Sequence, residues 1–223
     1  MSTTVISHSS QPRFHIVSGA RVTVALVLAA WFALVVALGA NGVFVSAAGA
    51  PPLAIAIGAG LPIILFFAAL PLSRAFRELV LTADLHLIVA IQAWRFAGLG
   101  FLALYAHKVL PAMFALPAGL GDMAIAIAAP WVLVSLIRRP RFATSTAFAA
   151  WNVLGMLDLT AAVSSGALNS VLATGAAGEI TTGPMALLPL LLIPVYLVPI
   201  FFMLHVTALM QARRLAKNPL DRA

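Results

Sequence analysis

Apolar residues run through this chain in long blocks, and polar residues fall between the blocks instead of alternating with them. Six blocks are long enough to cross a membrane, at roughly 22–47, 53–72, 80–105, 113–137, 142–164 and 185–210. About 20 apolar residues in a helix cover a hydrocarbon core of about 30 Å. The pattern therefore predicts an all-α fold, a polytopic membrane protein built as a bundle of about six transmembrane helices. Most connections are short, which predicts antiparallel neighbours. The exception is 164–183, SSGALNSVLATGAAGEITTG, read as a long outer loop carrying Glu179. Residues 1–20 read as a flexible polar tail, 21–212 as the transmembrane domain and 213–223 as a basic tail. Small residues at 48–50 (AGA) resemble a leader cleavage site. The preceding apolar run is much longer than a leader's, which predicts a retained signal-anchor helix.

Composition narrows the function classes. Hydrophobic residues make up 63% of the 223 and charged residues 9%, so a polar shell for a soluble domain is not available. With no cysteine, disulfides, thiolate metal sites and a cysteine nucleophile are excluded. The net charge of +7 hints at nucleic acid until its placement is read. Arg13 and Arg21 precede the first span, and Arg74 and Arg77 follow the second. Arg138, Arg139 and Arg141 follow the fourth, and Arg213, Arg214, Lys217 and Arg222 follow the sixth. These are alternate loops, so the positive-inside rule predicts both termini in the cytoplasm and a lipid bilayer, not nucleic acid, as partner. Only Arg95, inside a span, and Lys108, on the other side, break the pattern.

Charges inside spans are costly and point to partners. In LPAMFALPAGLGD at 110–122, Pro117, Gly119 and Gly121 predict a short surface segment followed by a fresh helix from about Ala118, with Asp122 in its first turns. Counting about 1.5 Å per residue from the cytoplasmic arginines puts Asp122, Asp158 and Arg95 at one depth, about 24–27 Å in. Arginine does not shed its proton, so the two aspartates are its expected acceptors. Asp84 lies eleven residues before Arg95, on the same face of an unbroken helix, with Gln92 between them extending the network. In the fifth span Trp151, Gly155 and Asp158 share a face, and Asn152 points about 120° away. One arginine against two carboxylates has two readings: glue between helices, or a site that takes up and releases a proton or ion.

His86 and His205 fall at a common depth of about 12–14 Å and form a possible pair of b-type haem or metal ligands. Ordinary hydrogen-bonded histidines fit the same placement. Pro184, Pro189, Pro194 and Pro199 recur every five residues in the sixth span, where the last three free backbone carbonyls; that suggests either a kinked helix or a gate. Glycine pairs at 58/60, 98/100 and 119/121 lack the strand context of phosphate loops and read as close helix contacts. No duplicated half and no hydrolase motif appears.

The stretches QAWRFAGLGFLALYAHKVLPAMFALPAGLGD, WNVLGMLDL and PLLLIPVYLVPIFFMLH resemble a functionally uncharacterised group of small bacterial multi-pass membrane proteins, over roughly residues 91–210. The resemblance implies a bacterial inner-membrane location and supplies no substrate, cofactor or catalytic residue. Three functions remain as expectations. The first is a small proton- or ion-linked transporter or channel. The second is a non-catalytic accessory or assembly subunit, as a homo-oligomer or beside a membrane partner protein. The third is a haem-binding redox protein. No catalytic residue is expected.

Overall fold

A computed structural model describes residues 11–217. Among these the chain is all-helical, and six helices are long and apolar enough to cross a membrane, as in a multi-pass membrane protein. The first predicted span is part of α1 (Gln11–Ala40), which ends in turns at 41–44 where Gly42 takes a positive φ of 71°. Helix thus replaces the expected flexible tail from Gln11 onward. Residues 1–10 of that tail, and Arg222 of the basic tail, lie outside the described residues. α2 (Leu53–Leu72) is the second span.

The third span departs most from expectation. α3 (Arg74–Thr82) is a separate amphipathic helix, begun by Ser73, whose hydroxyl accepts from the Phe76 N–H at 3.2 Å. It buries Val80 against Phe66 and Leu70 and leaves Arg74, Arg77 and Glu78 exposed. The chain then turns extended at Ala83 and Asp84, and the span proper begins with α4 (Leu85–Ile91). It continues as a 3₁₀ segment (Gln92–Gly98) and finishes as α5 (Leu99–Ala106).

The predicted break at Pro117 is absent. α6 (Ala112–Arg138) runs through both Pro117 and Pro130. Proline near the start of a helix frees only one early carbonyl, and that loss is offset by packing. α6 buries a stripe of small residues, Ala115, Ala118, Ala126 and Ala129, which lets its backbone approach the third span closely. After a 3₁₀ turn (Pro140–Thr144), α7 (Thr146–Leu172) extends eight residues beyond its expected end at 164. The polar residues that read as loop face inward: Asn169 Oδ1 accepts from the Thr182 N–H at 2.9 Å, and Ser170 Oγ donates to the Ala50 carbonyl at 3.1 Å. The loop proper is 173–182. It is clipped by Glu179, which accepts from the backbone N–H groups of Thr174 and Gly175.

The last span is not one helix carrying four prolines. A 3₁₀ turn (Gly183–Ala186) and irregular turns hold Pro184 and Pro189. A π turn (Ile193–Leu197) then leads into α8 (Val198–Lys217). The Val198 N–H bonds the Ile193 carbonyl, five residues back. Pro199 has no N–H to offer Val195, so a wider turn at that point forfeits little. α4, α6, α7 and α8 share the main core, around Val89, Ala129, Phe148 and Ala208. α1 and α2 pack on its flank, through α3, α8 and the π turn.

Candidate functional site

The core of the bundle holds one compact polar cluster, built from four segments. Arg95, from the 3₁₀ segment, is 2% exposed. Its Nε donates to Asp122 Oδ1 of α6 at 2.7 Å, and its Nη2 donates to Asp158 Oδ2 of α7. Nη1 points to the Gly155 carbonyl at 3.4 Å and to His205 Nε2 of α8 at 3.2 Å. His205 Nδ1 then meets Asn152 Oδ1 at 2.9 Å, and Asn152 Nδ2 donates to the Phe148 carbonyl at 2.9 Å.

The direction of this chain follows from what arginine can do. A guanidinium only donates, so His205 Nε2 accepts and the ring proton sits on Nδ1, donating to Asn152 Oδ1. Every link then runs the same way, from Arg95 to the Phe148 carbonyl, with a neutral imidazole in the middle. Trp151 fixes the ring from the side, edge-on at 5.4 Å, and its own Nε1 donates to the Ile125 carbonyl at 3.4 Å.

Glycine makes the close approach possible. A β-carbon on Gly121 would collide with the Asp158 carboxylate, and one on Gly155 would collide with the His205 ring. Gly98 stands in the same relation to Asp122. Each polar side chain therefore lies on the bare backbone of a neighbouring helix. Gly155 also accounts for Asn152. Asn152 and Asp158 lie about 60° to either side of it on α7, so both reach the groove that His205 fills.

The structure brings Arg95, Asp122 and Asp158 together and leaves other expected members elsewhere. Asp84 is on the surface, capping α4: its Oδ1 accepts from the His86 N–H at 2.9 Å and the Leu87 N–H at 3.3 Å. The break before α4 and the 3₁₀ segment after it undo the α-helical register that aligned Asp84 with Arg95. Asp122 is ten residues into α6, beyond the reach of the helix-end charge expected to hold it there. Gln92 is fully buried beside the cluster but has no hydrogen-bond partner among the described residues.

His86 and His205 are not a pair. His86 is exposed next to Asp84, at 3.4 Å, and His205 is at the depth of Arg95, contrary to the count from Arg77 and Arg213. That count fails because Arg77 is on α3, outside the span. Both ring nitrogens of His205 are engaged, so this donor set does not fit an axial haem ligand. No group of three or more His, Cys, Asp or Glu side chains is placed to hold a metal among the described residues. Of the candidate gate residues, Pro194 and Pro199 are buried at the π turn and Pro189 is exposed in the turns before it.

A cavity of about 80 Å³ lies on the loop side of the cluster, between α2, α6, α7 and the segment 182–194. Phe44, Ile55, Phe114 and Met185 line it, with Ser170 and Thr182 among its few polar groups. Ala162 in its wall is one α7 turn from Asp158.

Sequence reasoning passed over His205, Asn152 and the three glycines as members of this site. The legible signal was spacing: Asn152, Gly155 and Asp158 recur every three residues, and Gly121 directly precedes Asp122.

No curated protein matches this chain, and no solved structure does. A family described as a domain of unknown function, DUF8737, matches residues 52–213. The match takes in every side chain of the cluster and most of the chain, so this protein belongs to the DUF8737 family.

Proposed function

We propose that this protein is a small proton- or cation-linked transporter that loads its ion at Asp122 and Asp158, with Arg95 as the counter-charge that responds. The carrying observation is one guanidinium shared between two carboxylates on different helices. A structural tie between helices needs one carboxylate for one arginine. The second leaves a surplus negative charge in a medium where an uncompensated charge is very costly. A proton or monovalent cation removes that surplus, and its arrival changes what holds Arg95.

Two further features support the reading. The carboxylates keep 17% and 15% of their side chains exposed, against 1% for Arg95, so the acid side of the cluster is the approachable one. The cavity reaches Ala162, one α7 turn from Asp158 on the loop side, and Pro194 of the π turn lies in its wall as the candidate gate. The positive-inside rule supports a cytoplasmic position for both termini, and the resemblance to small bacterial membrane proteins supports an inner-membrane location.

Proton flux into liposomes under an imposed membrane potential tests this, with a dye reporting internal pH. Wild-type protein is expected to carry flux well above protein-free liposomes. Asp158→Asn and Asp122→Asn are expected to reduce it at least about tenfold, the size of effect that loss of an essential proton carrier produces. Wild-type flux no greater than the protein-free rate, with both variants merely less stable, overturns the proposal. That outcome favours the accessory-subunit reading, in which the complete set of acceptors around Arg95 is a tie between helices.

A further inference from the structure

Among the described residues, Gln92 is the one buried side chain whose polar atoms go unmet: it is 0% exposed, and neither its Oε1 nor its Nε2 has a hydrogen-bond partner. A buried amide with nothing to bond is rare, because the groups lose water and gain nothing. Chance placement is a poor account here, since the local backbone brings this side chain to Arg95. Residues 92–98 form a 3₁₀ segment, in which side chains at i and i+3 eclipse. In an α-helix the same two positions diverge by about 60°. The change of helix type thus stacks Gln92 directly in line with Arg95.

We propose that Gln92 is the alternate acceptor for the Arg95 guanidinium, the residue onto which Arg95 turns when Asp122 or Asp158 is neutralised. This rests on the reading that the cluster loads an ion. In the structure, Arg95 spends Nε on Asp122 and Nη2 on Asp158. Neutralising either carboxylate weakens one of those bonds, and an arginine in a dry core must replace it. An amide oxygen is the right kind of acceptor: neutral, so it adds no charge, and held ready because it has no other partner. The carboxylates keep some exposure while Arg95 and Gln92 have almost none, so an ion reaches the acids first, and the guanidinium they release has Gln92 as a buried acceptor one 3₁₀ turn away. Gln92 is therefore a positioning residue, acting through Arg95.

A double-mutant cycle on thermal stability in mild detergent tests this without any knowledge of the solute. Gln92→Met keeps the length and removes both polar atoms. In the wild-type background it is expected to raise the melting temperature, by about 2 °C, because an unmet amide is removed. In the Asp158→Asn background, which mimics the neutralised carboxyl, the same change is expected to lower it by a similar amount, because Arg95 then loses its replacement acceptor. Reversal of sign supports the proposal. The same sign in both backgrounds overturns it: two increases mean the amide stays unpaired throughout, and two decreases mean it has a fixed partner such as a solvent molecule. If Asp158→Asn does not fold, Asp122→Asn supplies the second background. Flux without sign reversal removes only the role of Gln92. Sign reversal without flux leaves Gln92 as the acceptor and removes the transport reading.

Discussion

At the scale of single residues, the cluster is limited by room as much as by charge. Gly121→Ala drives a methyl into the Asp158 carboxylate, and Gly155→Ala drives one into the His205 ring. Each is expected to destabilise the protein by about 1–3 kcal/mol, the usual range for overpacking a filled core. Denaturation midpoints for the two variants, beside an exposed control such as Gly100→Ala, where a β-carbon meets nothing, check this. The pairing of Arg95 with Asp122 and Asp158 was legible in the sequence because charges in a membrane span must find one another; Asp84, read as a fourth member, instead caps α4 at the surface. His205 and Asn152 were not legible as partners. Neutral polar residues carry no such obligation, and their place depends on which groove of α7 the last helix fills.

At the scale of elements, length and apolarity fixed where helices lie, and local hydrogen bonding decided where they start, stop and change type. The six spans could be read from hydropathy. The break at Ala83–Asp84 could not, because an apolar run continues on both sides of it; yet Asp84 is a good N-cap residue and α4 begins on it. Backbone N–H donors from Leu87 and then His86 hold its carboxyl below the ordinary 3.8. A lowered pKa gives stability that is present above the ordinary value and lost as pH falls through the lowered one. Acidification below the ordinary value should therefore loosen the start of α4. Protection of the His86 and Leu87 amides from hydrogen exchange, relative to their intrinsic rates at each pH, is expected to fall there, and Asp84→Ala should show the lower protection already at neutral pH. The loop 173–182 should follow the same course, since the Thr174 N–H lowers Glu179 in the same way. The 3₁₀ segment and the π turn had weaker signals still. Pro199 permits a wider turn at 193–197 without requiring one, and nothing in the composition of 92–98 separates a 3₁₀ from an α-helical course.

At the scale of the whole molecule, the absence of cysteine makes sidedness simple to measure. Ala177→Cys, in the loop after α7, is expected to react with a membrane-impermeant maleimide on intact cells. Thr144→Cys, in the turn between α6 and α7, is expected to react only after the membrane is opened. The reverse pattern would place the basic ends outside and refute the cytoplasmic assignment of both termini. The four segments around the cluster belong to the spans from α4 onward, and among the described residues α1 makes none of its hydrogen bonds. Much of α1 faces away from the rest of the chain, with Val22, Leu26, Phe32 and Leu34 exposed, and the family match begins only after it, at residue 52. Its contribution is then one of parity. Five spans leave the two ends of a chain on opposite sides of a membrane, and a sixth returns the first end to the side of the last. On that account the positive-inside rule predicts that the basic residues at 74–77, 138–141 and 213–217 orient α2–α8 without help from α1, and that removing α1 changes only the side on which the chain begins.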